Sequence, residues 1–223
     1  MVRTLAAGRY AVMFSGGKDS MLALDRAVRA GAVHPTLLTL YDAASQRVRF
    51  HGVSLAVMRA QAEALGLPAR HVPTTLATFE AVFLAALAAL RDDGVSGVIF
   101  GDIHLADVRA WYEERVRAAG LAHVEPLWGE APGALVREAV ARGHRALITC
   151  VEEATADPAW LGRVIDQQLI AEFEQNGVDP CGERGEYHTL VTDGPLFRYP
   201  LAVMLGDVHA EGGFRQMGVQ LAP

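Results

Sequence analysis

Six consecutive residues near the amino terminus have the types and the order of a phosphate-binding turn. They are Ser15, Gly16, Gly17, Lys18, Asp19 and Ser20. The apolar run Tyr10–Phe14 before them predicts a buried strand, and the pattern over Lys18–Ala30 predicts a helix. In a turn between strand and helix, backbone N–H groups and the helix dipole attract an anion, and glycine lets the backbone approach it closely. The sequence therefore predicts an anion site at this turn.

Of two other interpretations of the turn, one stays open and one is excluded. A plain glycine turn with a capping serine is the simpler alternative. A Walker A loop is excluded, because Val12 stands where that motif needs glycine and Asp19 stands where it needs Ser or Thr.

A second chemically dense stretch, Asp179–Phe197, lies near the carboxyl terminus. Glu183, Glu186 and His188 supply two carboxylates and an imidazole within six residues, between glycines. Such groups can bind a cation or transfer a proton near neutral pH. A solvated turn is the usual explanation of such a cluster, but apolar residues flank this one on both sides, as in loops that carry function.

The elements that must position these residues alternate between short and long apolar patterns. Predicted strands in the first part are Tyr10–Phe14, Thr36–Tyr41, Arg70–Pro73 and Val95–Gly101. Predicted helices there are Lys18–Ala30, Val53–Leu65, Ala77–Asp92 and Ala106–Ala119. This alternation predicts an α/β fold, a doubly wound parallel sheet with helices on both faces.

The regular alternation of strand and helix patterns ends after Pro126, where we place a domain boundary. Residues 1–126 are expected to form the doubly wound domain and residues 127–223 a second, smaller α/β domain. Its predicted elements are a helix Pro132–Arg142, a strand His144–Val151, a helix Ile165–Gln175, irregular structure over Asp179–Gly194, and strands Leu201–Val208 and Phe214–Leu221. The second dense stretch is thus expected in a loop.

Composition excludes several classes of protein. The 223 residues are 51% hydrophobic and 21% charged, with a formal net charge of −6 and no block of five basic residues. We therefore expect neither disorder nor a nucleic-acid or membrane partner.

The two cysteines, Cys150 and Cys181, are too few for a disulfide scaffold and lack the paired spacing of a zinc site. The apolar runs are too short to span a bilayer and Met1–Tyr10 lacks a signal-peptide pattern, so a cytoplasmic protein is expected.

The turn Ser15–Ser20 resembles the pyrophosphate loop, SGGxDS, of the N-type ATP pyrophosphatases, within the adenine nucleotide alpha hydrolase-like superfamily. The whole pattern resembles one branch, the diphthine–ammonia ligase family and its bacterial-type relatives. That family has Gly-Asp-Ile and Pro-Leu-Trp in the middle, here Gly101–Ile103 and Pro126–Trp128, and GExGEYHTLVxDGPxF late. Gln61–Gly66 is a smaller match. The resemblance extends from the first strand to about Phe197.

The resemblance implies a Rossmann-like, HUP-type fold and a ligase that uses ATP and Mg²⁺. Such an enzyme releases AMP and pyrophosphate, adenylates a carboxylate and amidates it with ammonia. Implied catalytic residues are Lys18, against charge on the leaving pyrophosphate, Asp19, as the Mg²⁺ ligand, and Glu183, Glu186 and His188. Implied ATP-binding residues are Ser15–Ser20, Tyr41, Gly101 and Asp102, and implied substrate-binding residues are Arg109, Glu183, Glu186, Tyr187, His188 and Thr189. A helix N-cap is the alternative role for Asp102.

Two departures from the family pattern leave the acceptor open. Trp111 stands where a second arginine is expected after Gly-Asp-Ile, and Arg184 replaces a glycine between the late glutamates. Diphthine on an elongation factor is the family's best-known acceptor, and an unrelated small-molecule carboxylate is the alternative. A homodimer is compatible with the sequence.

Two rival functions follow from the same fold. A non-catalytic nucleotide-binding sensor, like universal stress proteins, would use the turn Ser15–Ser20 but not Glu183, Glu186 and His188. Sulfur transfer, known among related tRNA thiolases, needs reactive thiols, and two distant cysteines argue against it.

Overall fold

The computed structural model describes residues 5–48 and 52–223, which form two compact units. The first unit contains the described residues up to Ser15, then Asp19–Gln46 and Leu67–Gly129. The second contains Gly16–Lys18, the described residues between 47 and 66, and Glu130–Pro223. Part of Met1–Tyr10, where no signal peptide is expected, lies outside the described residues. The division into domains 1–126 and 127–223 stays a proposal.

The first unit is built on a five-stranded parallel sheet. Its strands are β1 (Arg9–Met13), β2 (Thr36–Asp42), β3 (Ala69–Thr74), β4 (Val95–Ile99) and β5 (Ala122–Val124). They lie in the order β3-β2-β1-β4-β5, so the order reverses on either side of β1. The register places Ala11 of β1 opposite Thr36 of β2 and Val98 of β4. The predicted doubly wound parallel sheet is confirmed.

Three helices connect these strands, α1 (Lys18–Arg29), α3 (Phe79–Asp92) and α4 (Ala106–Ala118). Apolar side chains from the strands, α3 and α4 form one buried core. Its members are Ala11, Leu38, Leu40, Phe83, Leu87, Leu90, Val95, Val98, Phe100, Val116 and Leu121. Burial of such side chains is the main stabilising contribution to a layered α/β fold. This core supports the strand ends at which ligands of open α/β sheets bind.

The second unit is built on a four-stranded antiparallel sheet, and its described residues also form three α-helices and the short 3-10 helix Pro158–Trp160. Its strands are β6 (Arg145–Glu152), β7 (Tyr187–Asp193), β8 (Val203–Glu211) and β9 (Phe214–Leu221). Its helices are α2 (Leu55–Leu65), α5 (Pro132–Ala141) and α6 (Gln167–Gln175). The strand order is β7-β6-β9-β8, which leaves β7 at one edge of the sheet. Ser54 caps the start of α2, and Gly66, with φ of 66°, ends it.

The prediction of irregular structure over Asp179–Gly194 is wrong for its second half. Tyr187–Asp193 forms β7, which pairs with β6 so that Thr189 lies opposite Ile148 and His188 opposite Cys150. The glycines and charges that suggested a loop are concentrated in residues 179–186. The following residues are mainly β-branched, aromatic or apolar, and they are suited to a strand with a buried face.

Within residues 5–48 and 52–223, no helix has both the length and the apolar character needed to cross a membrane.

Candidate functional site

The first unit brings three sequence-predicted segments to one edge of its sheet. Ser15 and the first turn of α1 follow β1, Gly101 and Asp102 follow β4, and Tyr41 lies near the carboxyl end of β2. Because the strands are parallel, these ends share one edge. The reversal of strand order between β1 and its two neighbours is the point at which open α/β sheets bind ligands.

Gly101 is packed tightly against the first turn of α1. A Cβ atom at this position would lie 2.9 Å from the carbonyl carbon of Asp19 and 2.9 Å from the amide nitrogen of Ser20. No side chain fits there without moving backbone atoms. Ser20 is buried, and its Oγ lies 3.3 Å from the Oγ of Ser15. Gly101 thus sets how closely the end of β4 approaches the turn.

Asp102 is placed at the same edge and is not a helix cap. The N-cap of α4 is Leu105, without a side-chain hydrogen bond, so the alternative role of Asp102 as an N-cap is wrong. Burial and, to a smaller extent, the Asp102 carboxylate raise the pKa of Tyr112 to about 12. Tyr112 is therefore a neutral phenol at physiological pH, and the charge of Asp102 lies within electrostatic reach of it.

In the second unit, Gly16 lies against the outer edge of β7. Its φ of 79° is a left-handed conformation that favours glycine. Its carbonyl oxygen accepts a hydrogen bond from the backbone N–H of Val191 at 2.9 Å and another from Nε2 of Gln61 at 3.0 Å. The glycine turn thereby occupies part of an edge that an unpaired strand would otherwise expose.

Lys18 is buried in the same unit and contacts the late motif. Its backbone N–H donates to Oγ1 of Thr189 at 3.0 Å, and its Nζ donates to the carbonyl oxygen of Cys181. The ammonium lies 4.8 Å from the centroid of the Tyr187 ring, a cation–π distance. Lys18 is also the only lysine in the chain. The structure thus brings together Lys18, an expected catalytic and ATP-binding residue, with Tyr187 and Thr189, which are expected substrate-binding residues.

Tyr187 is enclosed rather than open to a substrate. Its ring stacks on Phe173 with centroids 4.8 Å apart, and its hydroxyl donates to the carbonyl oxygen of Pro180 at 2.5 Å. The side chain is 1% exposed. In this arrangement Tyr187 supports the Lys18 ammonium.

The two glutamates of the late motif differ in their surroundings. Glu186 is buried, and its Oε2 accepts a hydrogen bond from the backbone N–H of Arg184 at 3.1 Å. Glu183 is half-buried in the turn that Gly182 and Gly185 close through a backbone hydrogen bond of 3.1 Å. The Glu186 carboxylate therefore helps to shape the turn, while Glu183 is the more accessible of the two.

His188 does not share a face of β7 with the residues around Lys18. Side chains alternate along a strand, so Tyr187 and Thr189 point to one face and His188 to the other. The backbone oxygen of His188 accepts a hydrogen bond from Oγ1 of Thr149 at 3.4 Å. The sequence grouped His188 with Glu183 and Glu186, but strand alternation could not be applied to a stretch that was expected to be a loop.

Arg109, a predicted substrate-binding residue in the first unit, is held by a buried carboxylate. Its Nε lies 2.7 Å from Oε2 of Glu125, whose side chain is 3% exposed. Its guanidinium also lies 4.4 Å from the centroid of the Trp128 ring. Glu125 directly follows β5, at the same sheet edge as Asp102. The sequence carried no signal for Glu125, because the three-residue strand that it follows is too short for an apolar pattern.

His123 adds a second buried titratable group beside Glu125. Its side chain is 1% exposed, and its Nε2 lies 3.7 Å from Oε1 of Glu125. Burial lowers the pKa of His123 to about 4, opposed by the charge of Glu113 and assisted by Arg109 and Arg117. His123 is therefore neutral in the folded protein near pH 7.

Trp111, the departure from the family pattern, lies among aromatic rings. It contacts Phe79 and Phe83 of α3, with centroids 5.8 and 5.7 Å away, and the guanidinium of Arg115 at 3.9 Å. It therefore joins α3 to α4.

Among residues 5–48 and 52–223, no three His, Cys, Asp or Glu side chains are grouped as a metal site.

The fold and the glycine turn define a class, the Rossmann-like α/β proteins with a second, antiparallel unit. The chain belongs to the diphthamide synthase family. The model of the diphthamide synthase N-terminal domain matches residues 8–123, which include the early turn. The model of the C-terminal domain matches residues 131–217, which include the late motif.

Individual relatives agree with the family assignment. The chain is 29% identical to a human (Homo sapiens) protein named diphthine–ammonia ligase, in an alignment that covers 90% of this chain and 84% of the relative. It is 27% identical to a zebrafish (Danio rerio) protein of the same name, in an alignment that covers 94% of this chain and 92% of the relative. The resemblance inferred from the motifs is thereby confirmed.

Proposed function

We propose that the protein is an ATP-dependent ligase that adenylates a carboxylate, releases pyrophosphate and amidates the acyl adenylate with ammonia. The observation that carries this proposal is the turn Ser15–Ser20, which follows β1 where the strand order of the sheet reverses. The name diphthine–ammonia ligase, which the matched relatives bear, supports an amidating reaction.

ATP binding is assigned to the glycine turn and the start of α1. The N–H groups and the dipole at a helix N-terminus stabilise phosphate charge, and Lys18 adds the charge of its ammonium. Asp102 and Tyr41, at the ends of β4 and β2, are assigned to the rest of the nucleotide.

The residues of the first turn of α1 suit Mg²⁺ as well. Mg²⁺ prefers oxygen ligands, usually one or two carboxylates together with phosphate oxygens and waters. Asp19 is the acidic residue in the first turn of α1, and its backbone is packed against Gly101, which precedes Asp102. We assign Asp19 as the protein ligand. The ion would neutralise phosphate charge as the pyrophosphate leaves.

The reaction comprises two displacements. In the first, a carboxylate oxygen of the acceptor bonds to the α-phosphorus of ATP, and the bond from this phosphorus to the bridging oxygen breaks to release pyrophosphate. In the second, the nitrogen of ammonia bonds to the acyl carbon, the bond from this carbon to the adenylate oxygen breaks, and AMP leaves. The nitrogen then loses a proton to a base. We assign the base to Glu183, because its half-buried side chain is more accessible to ammonia than the buried side chain of Glu186.

The acceptor carboxylate is either diphthine, as the relatives' name suggests, or a small molecule. Arg109 remains our proposed carboxylate-binding residue, with its guanidinium held by Glu125 and Trp128. Sulfur transfer, which needs a reactive thiol, is disfavoured, because both cysteines are buried and burial raises the pKa of Cys150 to about 11.

The test is a screen of carboxylates with MgATP and ammonium, scored by release of pyrophosphate and AMP. The panel includes an elongation factor that carries diphthine, free amino acids and short acyl acids. We expect release that depends on both ammonium and one acceptor. Release of ADP and phosphate, or no turnover with any acceptor, would contradict the proposal.

A triple variant separates the ligase from a nucleotide sensor. Glu183→Gln, Glu186→Gln and His188→Gln together should abolish pyrophosphate release while ATP still binds. A chain with Arg145→Ala, an exposed residue at the start of β6, is the control and should keep full activity. Equal activity of the triple variant and the control would favour the sensor.

A further inference from the structure

Gln61 is a polar residue on the buried face of α2. It is 0% exposed. The other buried residues of this helix are apolar: Leu55, Val57, Met58, Ala62, Ala64 and Leu65. A buried amide costs free energy unless it forms hydrogen bonds. The hydrogen bonds that Gln61 donates lead to the glycine turn and to β7.

Three hydrogen bonds link Gln61, Gly16 and Val191 to one another. Nε2 of Gln61 donates to the carbonyl oxygen of Gly16 at 3.0 Å and to that of Val191 at 2.7 Å. The backbone N–H of Val191 donates to the same Gly16 oxygen at 2.9 Å. A side-chain amide has two N–H donors and a carbonyl oxygen has two lone pairs, so both donors of Gln61 and both lone pairs of Gly16 are used. The Gly16 carbonyl is therefore held from two sides.

Holding this carbonyl also fixes the next amide. The peptide bond between Gly16 and Gly17 is planar and trans, so the Gly17 N–H points opposite to the Gly16 carbonyl. Since the carbonyl points at Gln61 and Val191, the Gly17 N–H points away from α2 and β7. Successive N–H groups in a turn of this kind are the donors that surround a phosphate.

The turn is also fitted closely to the Gln61 side chain. A Cβ atom at Gly16 would lie 2.6 Å from Oε1 of Gln61 and 2.9 Å from Sδ of Met58. Within residues 5–48 and 52–223, this buried Oε1 has no hydrogen-bond partner. The amide is thus retained with one unsatisfied acceptor, and its two donors both serve the turn and β7.

We propose that Gln61 is a positioning residue for phosphate binding. It holds the Gly16–Gly17 peptide of the turn in one orientation for the phosphates of the nucleotide, and it does so without touching the nucleotide itself. This inference rests on the proposed function, because it assumes that the turn binds ATP. Binding of ligands that carry a pyrophosphate group should depend on Gln61, and binding of adenosine should not.

The experiment compares binding of MgATP, inorganic pyrophosphate and adenosine to the full chain by calorimetry. Gln61→Met keeps the length of the side chain and removes both donors. We expect its affinities for MgATP and pyrophosphate to fall roughly tenfold, and its affinity for adenosine to change by less than about twofold. Gln167→Met, an exposed residue at the start of α6, is the matched control and should bind all three ligands like the unaltered chain.

Three outcomes are decisive. Unchanged MgATP affinity in Gln61→Met would overturn the positioning role while leaving the proposed function intact. An equal loss for MgATP and adenosine would also overturn it, since a general structural role lowers both. Failure of the unaltered chain to bind MgATP would overturn the proposed function and this inference together. Should Gln61→Met fail to fold, Gln61→Asn, whose amide is one methylene too short to reach both carbonyls, provides the same test.

Discussion

At the scale of single residues, Lys18 combines a task in stability with a proposed task in catalysis. It is the only lysine of the chain, it is 4% exposed, and its ammonium contacts the Cys181 carbonyl oxygen and the Tyr187 ring. A cation in such a position stabilises the surrounding turn. It can also act on the phosphate charge that our proposal assigns to the glycine turn.

Lys18→Met should therefore affect both stability and activity. Loss of a charge-assisted hydrogen bond and a cation–π contact should lower the free energy of unfolding by about 2 kcal/mol. Pyrophosphate release should be lost, while Lys18→Arg, which keeps the charge, should retain most of the stability. Urea unfolding and pyrophosphate release measure the two effects. A Lys18→Met chain with unchanged pyrophosphate release would contradict the catalytic role.

His123 makes stability depend on pH. Its pKa in the folded protein, about 4, is below the usual value of 6.5, so between these values the unfolded chain binds more protons than the folded one. The free energy of unfolding therefore falls as the pH is lowered from about 6.5 towards 4, by at most about 3 kcal/mol from this group. Above this range the contribution is constant.

His123→Phe isolates this effect. The new ring can keep the contact that His123 makes with Phe100, at a centroid distance of 4.8 Å, but it does not titrate. Urea unfolding at about pH 7 and about pH 4.5 should show a smaller loss of stability for the variant than for the unaltered chain. Equal losses in the two chains would mean that His123 is already accessible to protons in the folded state.

At the scale of elements, the approach of β4 to α1 depends on Gly101. Gly101→Ala places a methyl group 2.9 Å from backbone atoms of Asp19 and Ser20, and backbone there can yield only by shifting β4 or α1. We expect the free energy of unfolding to fall by about 2 kcal/mol and ATP affinity to fall with it. Gly206→Ala is the control, because its Cβ meets no atom closer than 3.6 Å. Similar stabilities of the two variants would show that the edge of the sheet is not constrained as described.

Regular elements could be predicted from the sequence, and short or mixed ones could not. The strand and helix patterns of the first unit predicted β1 to β4 and their helices to within two residues at each end. β5 has only three residues, too few for an apolar pattern. β7 was missed because its first half adjoins a turn rich in glycine and charge. Its pairing with β6 is a long-range contact that no local pattern records.

The same limit applies to the candidate site. The residues of the early turn and of the late motif were identified from their types and order. The contact of Lys18 with Cys181 involves a backbone carbonyl, and the role of Gln61 depends on residues 45 and 130 positions away. The local sequence indicates neither contact, apart from the polar Gln61 on an otherwise apolar helix face. Strand alternation then separated His188 from Tyr187 and Thr189.

At the scale of the whole molecule, we propose that one chain performs both displacements. Family membership extends over both halves, with matches to residues 8–123 and 131–217. The predictions of a cytoplasmic location, of a homodimer and of no nucleic-acid or membrane partner stay predictions. The decisive property is the path of the carboxylate oxygen, because adenylation transfers it to AMP and no other use of ATP does.

The most direct measurement uses the best acceptor of the carboxylate screen, labelled with oxygen-18 in its carboxyl group. The labelled acceptor is incubated with MgATP and ammonium, and the nucleotide product is analysed by mass spectrometry. Attack of ammonia on the acyl carbon should leave a single labelled oxygen in the phosphate of AMP and the other in the amide. Unlabelled AMP, or ADP with labelled phosphate, would contradict the proposed adenylation.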